Sequence, residues 1–189
     1  VVKAEGGDGV TNSKKIILDL CAGSGAWSRP YVDAGYDVRL VTYPGRDVRE
    51  YRAPSNVHGI LAAPPCTMFS LSGNRWKRST EQMIEALQVA DACIRIREEC
   101  DPAWWALENP AGILSRVIGK PLLKFQPYEF SDPYQKETWI WGFFQQPAAT
   151  GCAGPIDQRI WSMSPSEDRA DKRSVTPAGF ARAFMEANP

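Results

Sequence analysis

Cys66 follows two prolines, Pro64 and Pro65, at the end of the apolar run VHGILAA (57–63). Proline fixes φ and stiffens the chain it sits in, so this thiol is held at the end of a strand. It is either an inert buried side chain or a nucleophile, because cysteine is a few per cent thiolate at neutral pH and strongly nucleophilic. The single histidine, His58, lies inside the preceding run and reads as a core or edge side chain; it is poorly placed to activate Cys66 as a hydrolase base. Glu108-Asn109-Pro110 follows the very apolar AWWAL (103–107). A carboxyl in apolar surroundings is costly when charged, which raises its pKa and suits it to acid catalysis; the same residues could equally cap a helix. The third stretch is DLCAGSG, Asp19 to Gly25. Gly23 and Gly25 let backbone approach a ligand closely, although any tight strand-to-helix turn can use glycine. The spacing is neither G-x-G-x-x-G nor a P-loop, so a phosphate cradle is not supported.

The elements that must position these residues alternate. Ile16 to Leu20 reads as a buried strand feeding the glycine turn, and a helix should follow, capped by Ser28, with Pro30 in its first turn and Gly35 at its end. DVRLVT (37–42) is a second strand and VHGILAA a third. The spacing of Met83, Leu87, Ala90 and Ile94 predicts a helix over 80–99, with Ser79 and Gln82 as a capping box. A fourth strand spans Ala103 to Leu107, a short helix follows Pro110, and TWIWGF (138–143) is a further strand. Thr176 as N-cap and Pro177 at the first helical position open a last helix that places Phe180 and Phe184 on one face. Such alternation predicts an α/β fold: a doubly wound, mostly parallel sheet that binds ligands at the carboxyl ends of its strands. The three stretches above all sit at such ends.

Composition agrees with one ordinary globular unit. The chain has 189 residues, 43% hydrophobic and 23% charged, which excludes disorder, collagen and coiled coil. Residues 1–14 read as a flexible polar tail and 15–189 as a single domain, with a Gly/Pro-rich, linker-like stretch at 145–155. The longest uncharged stretches, 53–74 and 138–156, are interrupted by Pro, Gly, Asn or Gln, so no membrane helix is expected. Five cysteines without a C-x-x-C pair, with one histidine, support neither a disulfide framework nor a metal site; a reducing, cytoplasmic setting follows. Lys plus Arg number 22 and Asp plus Glu 22. That balance argues against a broad electrostatic grip on nucleic acid and leaves room for a local one.

In their order and wording these motifs resemble the DNA cytosine methyltransferases that act at carbon 5 with S-adenosyl-L-methionine, and the end RSVTPAGFARAFMEANP resembles the short, phage-type members. Asp19 to Gly25 is similar to their D-L-F-A-G-x-G cofactor motif, with Cys21 in the Phe place. AAPPCTMFS (62–70) resembles G-G-P-P-C-Q-G-F-S, Glu108-Asn109 resembles the start of E-N-V, and QKETWIWG (135–142) resembles the Q-x-R-x-R strand. The resemblance covers most of 16–189. It implies the Rossmann-like sheet of such enzymes, a nucleophilic Cys66, and a Glu108 that hydrogen-bonds the cytosine edge. Cytosine carbon 5 is a poor nucleophile until a thiolate adds at carbon 6, and the base must stand outside the stack to be reached. The resemblance further implies that Asp19, Cys21, Ala22, Gly23, Ser24, Gly25, Ala26 and Trp27 line the cofactor, with Thr42, Tyr43, Asp47, Val48 and Pro64. Pro65, Ser70, Asn109, Pro110, Lys136 and Thr138 would face the substrate. No metal is implied.

The chain also departs from that pattern. No acid ends the second strand, where the family carries a ribose ligand. Glu137 and Trp139 stand where Q-x-R-x-R has arginines, and Thr67-Met68 replaces Gln-Gly. Family members that read a DNA sequence insert a large recognition region between that strand and the last helix; here the interval is Phe143 to Thr176, a reduced segment. Its Arg159, Arg169, Lys172 and Arg173 alternate with Asp157, Glu167, Asp168 and Asp171, which reads as a solvated mixed-charge loop. The loop after Cys66 is different, because Arg75, Trp76, Lys77 and Arg78 combine three cations and an aromatic ring. It is either an ordinary basic surface loop or a grip on single-stranded or flipped-base DNA. The expectation is a compact methyltransferase acting on cytosine in DNA, with sequence reading weak or supplied by a separate subunit. Rival readings are a transferase acting on RNA, a free nucleotide or with an altered cofactor, and a binding protein without catalysis.

Overall fold

The computed structural model describes residues 15–71 and 78–189. Six strands form one sheet in the order β2-β1-β3-β4-β6-β5: β1 Ile16–Leu20, β2 Asp37–Val41, β3 Val57–Ala62, β4 Trp104–Pro110, β5 Leu123–Phe125 and β6 Thr138–Phe143. β1 to β4 pair in parallel, and β6 enters antiparallel between β4 and β5. The helices are α1 Arg29–Asp33, α2 Thr80–Cys100, α3 Ser115–Ile118, α4 Arg159–Ser162, α5 Arg169–Ser174 and α6 Ala178–Ala187.

The strands bury both faces by simple alternation. Leu18, Leu20, Ile60, Ala62, Leu107 and Trp141 pack with Ala86, Ala90, Cys93 and Ile96 of α2. On the other face Ile17, Leu61, Trp104, Ala106 and Ile140 pack with Tyr31 of α1 and with Phe180 and Phe184 of α6. Helices thus cover both faces of a mostly parallel sheet, the doubly wound, Rossmann-like α/β arrangement that the alternation of elements predicted. The chain leaves β1 for β2 on one side and places β3 on the other, so the topological switch point lies between the carboxyl ends of β1 and β3. Ligand crevices open at such points.

Several local expectations change. Ser79 and Gln82 do form the capping box at α2, Gln82 N donating to Ser79 Oγ at 3.1 Å and Ser79 N to Gln82 Oε1 at 3.2 Å. The face that α2 buries runs instead through Ala86, Ala90, Cys93 and Ile96, with Met83, Leu87 and Ile94 only partly buried, because small side chains let the helix lie close on the sheet. Ser28 precedes α1 without capping it. β4 does not stop at Leu107; it runs through Glu108, Asn109 and Pro110, since β6 pairs beside it and matches Pro110 to Thr138. β5 is an addition, a three-residue edge strand. Pro177, not Thr176, occupies the cap position of α6, and the first turn is satisfied from elsewhere: Gly179 N donates to Asp132 Oδ2 at 2.8 Å. Among the described residues no helix is long and apolar enough to cross a membrane.

Candidate active site

Four strand ends converge on one edge of the sheet. β1, β3 and β4 deliver the glycine turn, the Pro64-Pro65-Cys66 loop and Glu108-Asn109; antiparallel β6 begins at that same edge, so Lys136 and Thr138 arrive there too. β1 and β3 stay paired up to the crevice, where Ala63 N donates to Leu20 O at 2.9 Å.

Cys66 opens a tight turn in which Phe69 N and Ser70 N both donate to its carbonyl at 2.9 Å. Buried Phe69 anchors this turn in the core, and Ile113 N closes it by donating to Phe69 O at 2.9 Å. Gly112 permits that closure, because a Cβ there would collide with the carbonyl oxygen of Phe69. Arg78 clamps the same turn from the far end of the loop, its guanidinium donating to Met68 O at 2.8 Å and to Ser70 O at 2.6 Å. Arg75, Trp76 and Lys77 lie outside the described residues.

The Asn109 side chain is fully buried and its amide donates to Pro64 O at 2.9 Å, tying β4 to the cysteine loop. Burial pushes the Cys66 thiol above its ordinary pKa and the nearby Glu108 carboxylate pushes it further, while the charges of Lys136 and Arg173 pull it back. Glu108 is raised chiefly by burial, with Lys136 opposing. Glu108, Lys136 and Arg173 thus act on the thiol, and Lys136 also acts on a carboxyl that holds its proton more readily than usual. Lys136 is fixed by donating to Val175 O at 3.1 Å. Thr138 is buried and spends its hydroxyl on Lys136 O at 2.9 Å. Pro65 is exposed beside Cys66, and Pro110 is partly buried at the end of β4.

The glycine turn has backbone that side chains rarely tolerate: Cys21, Gly23 and Gly25 have φ of 56°, 54° and 70°. Gly23 and Ser24 are exposed, Ala22, Gly25 and Ala26 partly so, and open space surrounds the Cα of Gly23. Gly23 N donates to Thr42 Oγ1 at 3.0 Å, linking the ends of β1 and β2. Asp19 is buried behind the turn and accepts the Ser28 hydroxyl at 2.5 Å; burial raises its pKa to about 7 despite that bond. Trp27 is a core side chain, its ring 5.6 Å from Phe184, and Val48 is equally buried. Trp27 belongs to the core on the α1 and α6 face and Val48 to that on the α2 face. Tyr43 is largely exposed, and Asp47 is paired with Arg49.

The geometry adds two residues to those read from the sequence. Ser28 serves the buried Asp19, and Arg173, from the segment that reads as a solvated loop, lends its charge to the surroundings of Cys66. The Ser28 signal was visible but ambiguous, since a cap uses the same residue type; nothing local marks Arg173.

No protein-family model and no curated protein matches the chain. Among solved structures it is similar to a protein described as a DNA modification methyltransferase encoded within an E. coli prophage, at 18% identity over 68% of this chain and 46% of that one, with a TM-score of 0.48. It is similar to the Entamoeba histolytica methyltransferase EhMeth at 9% identity over 81% of this chain and 61% of that one, TM-score 0.46. It is also similar to a mutant of Spodoptera frugiperda DNMT2 at 13% identity over 82% of this chain and 60% of that one, TM-score 0.36. The chain spans about half the length of the first of these and about three fifths of the other two.

Proposed function

We propose that this chain transfers a methyl group from S-adenosyl-L-methionine to carbon 5 of cytosine in DNA through a covalent Cys66 adduct. The observation that supports this reading most directly is the joining of the Cys66 loop to the Glu108 strand by Asn109, at strand ends where the carboxylate charge acts on the thiol.

The residues present fit the cofactor. The positive-φ turn from Cys21 to Gly25 offers close backbone approach at the switch point, with Thr42 bonded to it; Asp19, Trp27, Tyr43, Asp47, Val48 and Pro64 would complete the cofactor site. When bound there, S-adenosyl-L-methionine supplies an electrophilic methyl group. The Cys66 thiolate adds to carbon 6 of the cytosine, and its electron pair moves to carbon 5, which becomes nucleophilic. The Glu108 carboxyl hydrogen-bonds N3 and the exocyclic amine, which favours addition and rejects thymine. Carbon 5 would take the methyl group as the methyl–sulfonium bond breaks and the neutral thioether leaves; solvent water would then take the carbon 5 proton, and the carbon–sulfur bond would break to return the Cys66 thiolate. Pro65, Ser70, Asn109, Pro110, Lys136 and Thr138 would shape the base pocket, with Arg78 holding the turn that follows Cys66.

The short interval from Phe143 to Thr176 favours substrates that need little sequence reading. In the test, 5-fluorocytosine replaces cytosine in single-stranded and duplex oligonucleotides, and protein with S-adenosyl-L-methionine is run on a denaturing gel. A covalent band with the wild type and none with Cys66→Ser is expected. Absence of the band on both forms of DNA, in a protein that still binds the cofactor, sinks the mechanism and leaves a binding protein. Labelled cofactor offered with duplex DNA, single-stranded DNA, RNA and dCMP then identifies the substrate; labelling of dCMP alone or RNA alone would replace DNA in this reading.

A further inference from the structure

We infer that Arg173, near the end of α5, is a substrate-binding residue of this site that holds the phosphodiester flanking the base presented to Cys66. This rests on the proposed function and names a contact from a segment whose mixed charges suggest only solvation.

Position comes first. Lys136 Nζ donates to Ser174 O at 3.5 Å and to Val175 O at 3.1 Å, so the approach to β6 fastens the two residues that follow Arg173 at the mouth of the site. Of the cations among the described residues, Arg173 and Lys136 are the two whose charge reaches the Cys66 thiol. Lys136 is committed to those carbonyls. Arg173 is partly buried and has no ion pair or hydrogen bond among the described residues. Lys172 Nζ lies 2.6 Å from Asp168 Oδ2 and Arg159 is paired with Asp157; Arg169, one turn earlier in α5, also leaves its Nε without a partner, but its charge is not among those that act on the Cys66 thiol.

The adjoining strand offers no other cation for the task. Trp139 Nε1 donates to Glu137 Oε1 at 2.8 Å, and Lys124 Nζ sits 4.1 Å over the Trp139 ring, so that cluster is satisfied within itself. An unpaired guanidinium whose charge acts on this thiol attracts an anion brought to the site. Its planar fork matches phosphate bidentately.

Binding of a dye-labelled, cytosine-containing single-stranded oligonucleotide tests this by fluorescence anisotropy over a salt series, for wild type, Arg173→Gln and Lys172→Gln, with far-UV circular dichroism confirming the fold. Arg173→Gln is expected to weaken binding about tenfold or more, as loss of a charged hydrogen bond does, and to flatten the plot of log affinity against log salt by about 0.7, one phosphate on a single strand. Lys172→Gln, the same charge change one residue away, should weaken it by much less. At saturating 5-fluorocytosine oligonucleotide, Arg173→Gln should still form the Cys66 adduct. Wild-type affinity in Arg173→Gln, an equal loss in Lys172→Gln, absence of oligonucleotide binding by the wild type, or loss of the adduct at saturation with binding intact would each overturn the assignment. If the wild type forms no adduct yet Arg173→Gln still binds more weakly, the phosphate contact stands and the methyl-transfer reading alone falls.

Discussion

The buried amide of Asn109 donates to the carbonyl of Pro64 at 2.9 Å, joining two chain segments that each carry one reactive group of the candidate site. The bond crosses from the end of β4 to the loop after β3, so a side chain next to Glu108 in sequence ties its strand to the carbonyl two residues before Cys66. Asn109→Ala leaves the Pro64 carbonyl unpaired in a fully buried place, which costs about 1–3 kcal/mol. For a chain of this length each kcal/mol lowers Tm by about 2–4 °C. The rate of adduct formation with 5-fluorocytosine DNA, measured where the variant is folded, should fall further than the stability change explains. Wild-type Tm together with a wild-type adduct rate would show that the bond positions nothing.

The mutual electrostatics of the site predict opposite responses to one substitution. Glu108→Gln removes the negative charge that pushes the Cys66 thiol up, so more thiolate is present at neutral pH and alkylation by iodoacetamide, followed on the Cys66 peptide by mass spectrometry, should speed up. Lys136→Met removes a cation that pulls the thiol down and should slow it. The transfer reaction should respond differently, because Glu108→Gln also removes the acid at the base edge, a loss of about 10²- to 10⁴-fold in rate. Alkylation that is unchanged or slower in Glu108→Gln would separate the carboxyl from the thiol and remove the electrostatic basis of the site.

What the sequence makes legible is whatever is carried by local periodicity and local chemistry. The apolar runs of β1, β3 and β4, the capping box of Ser79 and Gln82, and the shared face of Phe180 and Phe184 are all set within a few residues of one another. The strand-end positions of the glycine turn, Cys66 and Glu108 follow from the alternation of elements. What was hidden depends on partners distant in the chain. Asp132 satisfies the start of α6, and Asn109 reaches Pro64. Lys136 bonds the carbonyls of the two residues that follow Arg173. Ser28 is the instructive case. Its hydroxyl can cap α1 or serve Asp19, and it serves Asp19, because a buried carboxyl without a partner costs more than an uncapped, solvent-facing turn. β5 is three residues at an edge, too short for any period to show.

Asp19 makes stability itself depend on pH in a predictable direction. Burial raises its folded-state pKa from 3.8 to about 7, so between those values the folded chain keeps a proton that the unfolded chain has released. Its stabilising contribution is therefore complete below the unfolded value and is lost as pH rises through about 7. Asp37, Asp47, Asp157 and Asp168, each held low by a hydrogen bond from Arg39, Arg49, Arg159 or Lys172, act oppositely, but below the ordinary carboxylate range. Glu108 is raised as well, so the wild type alone does not isolate Asp19; the difference from Asp19→Asn does. Asparagine keeps an acceptor for the Ser28 hydroxyl and carries no charge. Thermal unfolding from pH 5.5 to 8 should therefore show wild-type Tm falling with rising pH, a shallower fall for Asp19→Asn, and a variant at least as stable as wild type at pH 8. A parallel fall in both proteins, with the variant weaker throughout, would mean that Asp19 is ionised in the folded chain at neutral pH and that Ser28 holds a carboxylate there.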